Sequence, residues 1–333
     1  MKWINGFWRR APNLYGLLLF ALIVALLPLI IRSPYMLSTA IFIGIASILT
    51  LGLCMLMGYA GQISLGHAAF YGLGAYASAI LTVKLGLSPW LAILAGIVIT
   101  GVMAFLIGKI IFRLSGHYLA VATLGLGIVV FLAFNEFGDI TGGPTGLPGV
   151  PRLAVGDFVF DTDVKYYYLV WAVLIVLMVL SLNIVNSRVG RGLRAIHGSE
   201  AAANSVGIDS SSYKLQVLIL SAIYASIAGS LYVHYMRFVS PTPFDFHASV
   251  RLVVMAAVGG LASVWGAPFG AAAILLLTTV LRDNLPRVIP NASGEHTVIA
   301  YGIILVVIMI YMPQGLTYSL TNLRLWRSSR LKD

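Results

Sequence analysis

Apolar residues run along this chain in long blocks, and polar residues gather between the blocks rather than alternating within them. A block of about 20 apolar residues, coiled at 1.5 Å per residue, crosses the roughly 30 Å hydrocarbon layer of a bilayer. Ten blocks meet or approach that length: 14–31, 36–57, 66–83, 89–112, 117–135, 166–186, 214–234, 248–264, 267–281 and 297–312. The pattern predicts an all-α, polytopic membrane protein of about ten transmembrane spans, forming one domain over residues 1–333. The eighth to tenth blocks are shorter. Gly259, Gly260, Gly266 and Pro268 break that region, so a re-entrant hairpin is an alternative there.

Lysine and arginine set the orientation. With the N-terminus inside, 13 of these residues fall on the inner side and 8 on the outer, the inner ones clustering at both termini and in one loop. An even span count then places both termini in the cytoplasm. The basic start and first apolar run also fit a signal peptide, but the run of 18 residues is long for one, and an uncleaved first span is expected.

Three segments between or within the blocks stand out. The outer, periplasmic loop over 136–164 carries Thr141-Gly-Gly-Pro-Thr-Gly-Leu-Pro-Gly149 and then three aspartates. It reads either as a docking surface or as a solvated connector. The inner loop over 187–213 contains a short helix signature: Ser199 as N-cap, Glu200 against the positive helix end, Gly207 as stop. A helix of two turns is marginal alone in water, so it should lean on a partner. Ala201, Ala202 and Ala203 would offer a knob of small side chains, and Glu200 could pair with a basic group on that partner. The third segment, Gly58 to Gly74, holds five glycines in 17 residues. Either it is an unwound stretch lining a path, or a tight turn leading into a closely packed helix. Its polar groups Gln62, Ser64 and His67 are the candidate pathway residues. Ala225-x-x-x-Gly229 and Gly266-x-x-x-Gly270 read as packing motifs.

Composition narrows the function classes. The chain is 59% hydrophobic and 10% charged, where a soluble domain is about 45–50% apolar and about 25% charged. A lone cysteine, Cys54, excludes a disulfide-built fold. The net charge of +10 concerns membrane orientation before any nucleic acid. All eleven acidic residues lie at or beyond block edges, which argues against a proton pump or carboxylate-based carrier. No phosphate-binding loop occurs, so any ATP hydrolysis must come from another chain. The six histidines are scattered without metal-ligand spacing, and no nucleophile elbow is present. No catalytic residue, metal site or cofactor is expected.

Residues 58–77 (GYAGQISLGHAAFYGLGAYA), 116–126 (GHYLAVATLGL), 141–150 (TGGPTGLPGV), 199–209 (SEAAANSVGID) and 259–272 (GGLASVWGAPFGAA) resemble the signature blocks of LivM-type permeases, in order along nearly the whole chain. Those are inner-membrane subunits of bacterial ABC importers for branched-chain amino acids. The resemblance implies a permease without its own ATPase site, moving leucine, isoleucine or valine inward on ATP hydrolysed by partners. It implies a LivH-like sister permease, two cytoplasmic ATPase subunits, a periplasmic binding protein and surrounding lipid, with no nucleic acid. It also implies that the short helix at Ser199, Glu200, Ala201, Ala202, Ala203 and Gly207 couples the permease to an ATPase. The family's charged pair after Gly125 is replaced by Leu126-Gly-Ile-Val-Val, and an Arg-Asp pair by His197-Gly198. Urea, amides and aromatic acids are therefore alternative cargoes, and a stand-alone carrier or channel is the competing class.

Overall fold

A computed structural model describes residues 2–31, 33–112, 114 and 116–288, together with Gly302, Val306, Ile310, Gly315 and Leu316. Helices follow the apolar blocks. The first five are α1 (Lys2–Ile30), α2 (Pro34–Leu53), α3 (His67–Val83), α4 (Pro89–Ile111) and α5 (His117–Glu136). After the single turn α6 (Gly138–Thr141) come α7 (Asp163–Asn186), α8 (Arg188–Gly198) and α9 (Glu200–Ser205). The chain then continues through α10 (Ser210–Met236), α11 (Phe246–Gly259) and α12 (Gly266–Val288). Proline at the first helical position starts α2 and α4, where its missing N–H costs nothing. Asp209 and Asp245 start α10 and α11, each accepting a bond from the amide three residues on.

Among the described residues, six helical stretches are long and apolar enough to cross a membrane: Pro34–Tyr59, Pro89–Ile111, His117–Glu136, Asp163–Asn186, Ser210–Met236 and Gly266–Asn284. Tyr15–Ile30 and Phe246–Gly259 are apolar but shorter. The expected span over 66–83 is a helix of 17 residues, and that over 248–264 a helix of 14 followed by a break. At 1.5 Å per residue these reach only about 25 and about 21 Å. The expected span over 297–312 lies outside the described residues, apart from three of its members.

Burial separates the centre of the bundle from its rim. The apolar windows of Pro34–Tyr59 and Ser210–Met236 are 89% and 72% buried, against 17% for His117–Glu136. So α2 and α10 form the core, and α5 presents most of its surface outward. The Ala225-x-x-x-Gly229 stripe lets α10 lie against α3. A Cβ at Gly229 would stand 2.2 Å from the Tyr71 carbonyl oxygen, so only glycine permits that approach. Hydroxyls add bonds across the same core, with Ser181 and Tyr224 3.0 Å apart and Ser78 2.9 Å from His234 Nε2.

The 136–164 loop is folded rather than free. Leu147–Pro148 pairs antiparallel with Phe238–Val239, and Ala154–Val155 forms a small hairpin with Phe158–Val159. His234 Nδ1 lies 2.7 Å from the Pro151 carbonyl oxygen, and Val150 and Leu153 are fully buried. Lys165 stands over the Phe158 ring and bonds Asp161 at 2.7 Å, which holds the Asp161 carboxyl below the usual carboxylate range.

Candidate functional site

The inner loop builds a small docked platform. Ser187 caps α8 through Val189 N, and α8 buries Leu193 and Ile196 while its arginines stay outside. Arg194 turns back to donate to the Val185 carbonyl at 3.1 Å, satisfying an open acceptor at the end of α7. Ser199 then takes an extended conformation, and its Oγ accepts from Ala202 N at 3.3 Å. Gly207, at φ +84°, ends the turn as only glycine does without strain. The expected cap, helix and stop are therefore all present, the helix ending at Ser205.

The alanines divide. Ala201 and Ala202 are exposed together with Val206, whereas Ala203 is buried against the platform. Asn204 Oδ1 accepts from Ser210 Oγ at 2.7 Å, tying α9 to the start of α10. Glu200 pairs within the chain: Lys214, buried on α10, donates to its carboxylate. That carboxylate was expected to meet a partner's basic group; here its first role is to neutralise a buried lysine.

The glycine-rich segment is both unwound and closely packed. α2 runs on into a π-helical stretch, Cys54–Tyr59, a wider winding that recurs at functional sites. Residues 60–66 are then irregular, with Gly61 at φ +68°. Side chains from two other helices satisfy the amides where α3 begins: Thr123 accepts from Leu65 N and Ser249 from Ala68 N, each at 3.0 Å. Gly58 lies so close to the chain between α11 and α12 that a Cβ would fall 1.8 Å from the Leu261 carbonyl oxygen. The backbone is unwound, and its glycines hold it in tight contact.

The three polar candidates part company here. Gln62 and Ser64 line a narrow crevice with Thr123 and Leu126, with room of about 10 Å³, near that of one water molecule. Gln62 also donates to the Ala60 carbonyl at 2.8 Å. His67 is not on that crevice. It is fully buried in the first turn of α3, edge-on to Phe70, and neither ring nitrogen has a hydrogen-bond partner among the described residues. The segment also touches the platform: a Cβ at Gly61 would stand 3.3 Å from Cγ of His197, two residues before the α9 cap.

A second concave site lies at the far end of α10 from α9. A cavity of about 560 Å³ opens between α2, α11 and α12, with Tyr71 and Tyr232 among its lining residues. Charged residues reach it from two elements: Asp245 and Arg251 on the α11 side, Arg282 on α12. Sequence reasoning missed this site. Its members are scattered over separate blocks, and their signal was the i, i+3, i+4, i+7 spacing of 248, 251, 252 and 255. Among the described residues, no group of three or more His, Cys, Asp or Glu could hold a metal ion.

The family model described as "Branched-chain amino acid transport system / permease component" matches residues 35–312. The chain belongs to this permease family. It is 31% identical over 323 residues to LivM of Salmonella typhimurium, a high-affinity branched-chain amino acid transport system permease protein, covering 88% of this chain and 74% of that one. LivM of Escherichia coli is 30% identical over the same shares of the two chains. LivH of E. coli is 23% identical, over 81% of this chain and 90% of its own. No solved structure matches the chain. Within this permease family's matched segment lie the α9 platform, the glycine-rich break and the cavity alike.

Proposed function

We propose that this chain is the membrane-spanning subunit of a binding-protein-dependent ABC importer, carrying branched-chain amino acids inward on ATP hydrolysed by partner subunits. The observation that carries the reading is α9. It is capped, stopped and tied down at Glu200 and Asn204, and it still presents Ala201, Ala202 and Val206 outward. A short helix stabilised from behind, with small residues in front, is built to seat in another protein's groove. The contact of Gly61 with His197 gives its movement a route to the glycine-rich break, where Gln62 and Ser64 border the translocation route and His67 is packed behind them. Membership of the permease family supports a sister permease resembling LivH, two cytoplasmic ATPases and a periplasmic binding protein as partners. Both termini and residues 187–213 then face the cytoplasm, and 136–164 the periplasm, with the chain in the inner membrane.

The test is reconstitution. The assembled importer in proteoliposomes should take up leucine only with ATP on the ATPase side and binding protein on the other. Flux of leucine through the chain alone would return it to the carrier or channel class. The isolated chain should show no saturable nucleotide binding.

A further inference from the structure

The cavity between α2, α11 and α12 has an ordered polarity. On α2 its lining begins with Tyr35, Ser38 and Thr39 and passes one turn at a time to Phe42, Ile45 and Leu49. On α11 it begins with Asp245 and Arg251 and passes to Leu252 and Met255. On α12, which runs the opposite way, Arg282 and Thr279 stand at the C-terminal end and Leu275 deeper. Three helices thus agree on a polar mouth, charged on the α11 and α12 sides, and an apolar floor, and the lining along α2 spans about 21 Å of helix axis.

The charges at the mouth are not equally engaged. Arg282 donates to the Tyr35 hydroxyl at 2.7 Å and lies 3.8 Å from Asp283. Among the described residues, Arg251 has neither a hydrogen bond nor an ion pair. One Asp245 oxygen accepts from Ala248 N at 2.8 Å as a helix cap, and the carboxylate has no cationic partner among the described residues. An unpaired guanidinium and an unpaired carboxylate at the rim of one cavity complement a ligand that carries both opposite charges. The floor of Ile45, Leu49, Leu252, Met255 and Leu275 offers no polar group, so it accepts an aliphatic side chain. A volume of about 560 Å³ lies within the range of small-molecule pockets, which run from about 300 to about 1,000 Å³.

We infer that this cavity binds the zwitterionic amino acid itself, with Arg251 on its carboxylate, Asp245 on its ammonium and the aliphatic side chain on the floor. This rests on the proposed cargo class and adds a site within the permease for it. A cavity for urea or a neutral amide needs neither charge.

The assembled importer in lipid nanodiscs, without binding protein, and radiolabelled leucine as the probe test this. Leucine should bind saturably. Leucinamide, which lacks the carboxylate, and 4-methylpentanoate, which lacks the ammonium, should each compete about tenfold less well, the scale of one charge-assisted hydrogen bond. Arg251→Gln should remove the preference over leucinamide. Asp245→Asn, which keeps the helix cap, should remove the preference over 4-methylpentanoate. Where a variant fails to assemble, the competition series on the wild type reads the same charges. No saturable leucine binding, equal competition by all three compounds, or unchanged preferences in both variants overturns the site, including the case where a phospholipid headgroup occupies the arginines. Leucine uptake with binding protein is measured in parallel. Its absence is a failure of the proposed function, whereas normal uptake with unchanged preferences is a failure of this site alone.

Discussion

Lys214 sits where a charge needs company. Its side chain is 4% exposed, and Glu200, 44% exposed, is the acid it meets. Removing the acid leaves a buried ammonium unpaired, which costs more than the pair itself is worth. Glu200→Gln should therefore destabilise the α9 platform by about 1–3 kcal/mol. Adding Lys214→Met should recover part of the loss, as thermal unfolding of the solubilised single and double variants would show. The alanines allow a sharper comparison. Ala203→Trp forces an indole into a packed site and should destabilise the chain itself by about 1–3 kcal/mol. Ala202→Trp points outward and should leave folding intact, yet weaken assembly with the ATPases and uncouple ATP hydrolysis from uptake. Normal assembly and transport in that variant would leave α9 an ordinary surface helix. Much of this residue-scale picture was legible, because caps and stops act over three or four positions. The Glu200–Lys214 pair was not, because its members belong to different helices.

At the scale of elements, the two helix breaks that meet in space are the informative feature. Gly58 at one break packs on Leu261 at the other, and Gly61 packs on His197 at the end of α8. Gly61→Ala would place a Cβ at φ +68°, a left-handed conformation costing about 1–2 kcal/mol, and press it onto His197. The variant should keep normal amounts of assembled complex but lose most of its leucine uptake, measured per complex in proteoliposomes. Replacing Gln62 and Ser64 by alanine in one variant and His67 in another separates their roles. Loss at the crevice residues should change uptake kinetics, while His67→Ala alone opens a cavity in the core and should lower thermal stability. The sequence showed where helices are interrupted, since glycine clusters are local. Which break faces which, and that α2 winds on as a π-helix before it ends, follow from packing between residues some 200 positions apart.

For the whole molecule, orientation is the first thing to measure. In a Cys54→Ala background, a cysteine at Thr145, exposed in the folded loop, should react with an impermeant reagent from the periplasmic side, and one at Ser199 should not. The reverse result would invert the topology. Helical class, apolar helices long enough to cross a membrane and the short inner helix were all readable from the chain alone. Each depends on a run of neighbouring residues meeting a bilayer thickness, a charge bias or a capping geometry. The helices over 66–83 and 248–264 have 17 and 14 residues, and length in sequence does not say whether such a helix meets lipid or other helices. The cavity belongs wholly to tertiary structure. Its residues are one or two per helical turn on separate helices, each ordinary at its place in the sequence, and only the packing of α2 against α11 and α12 turns them toward one space.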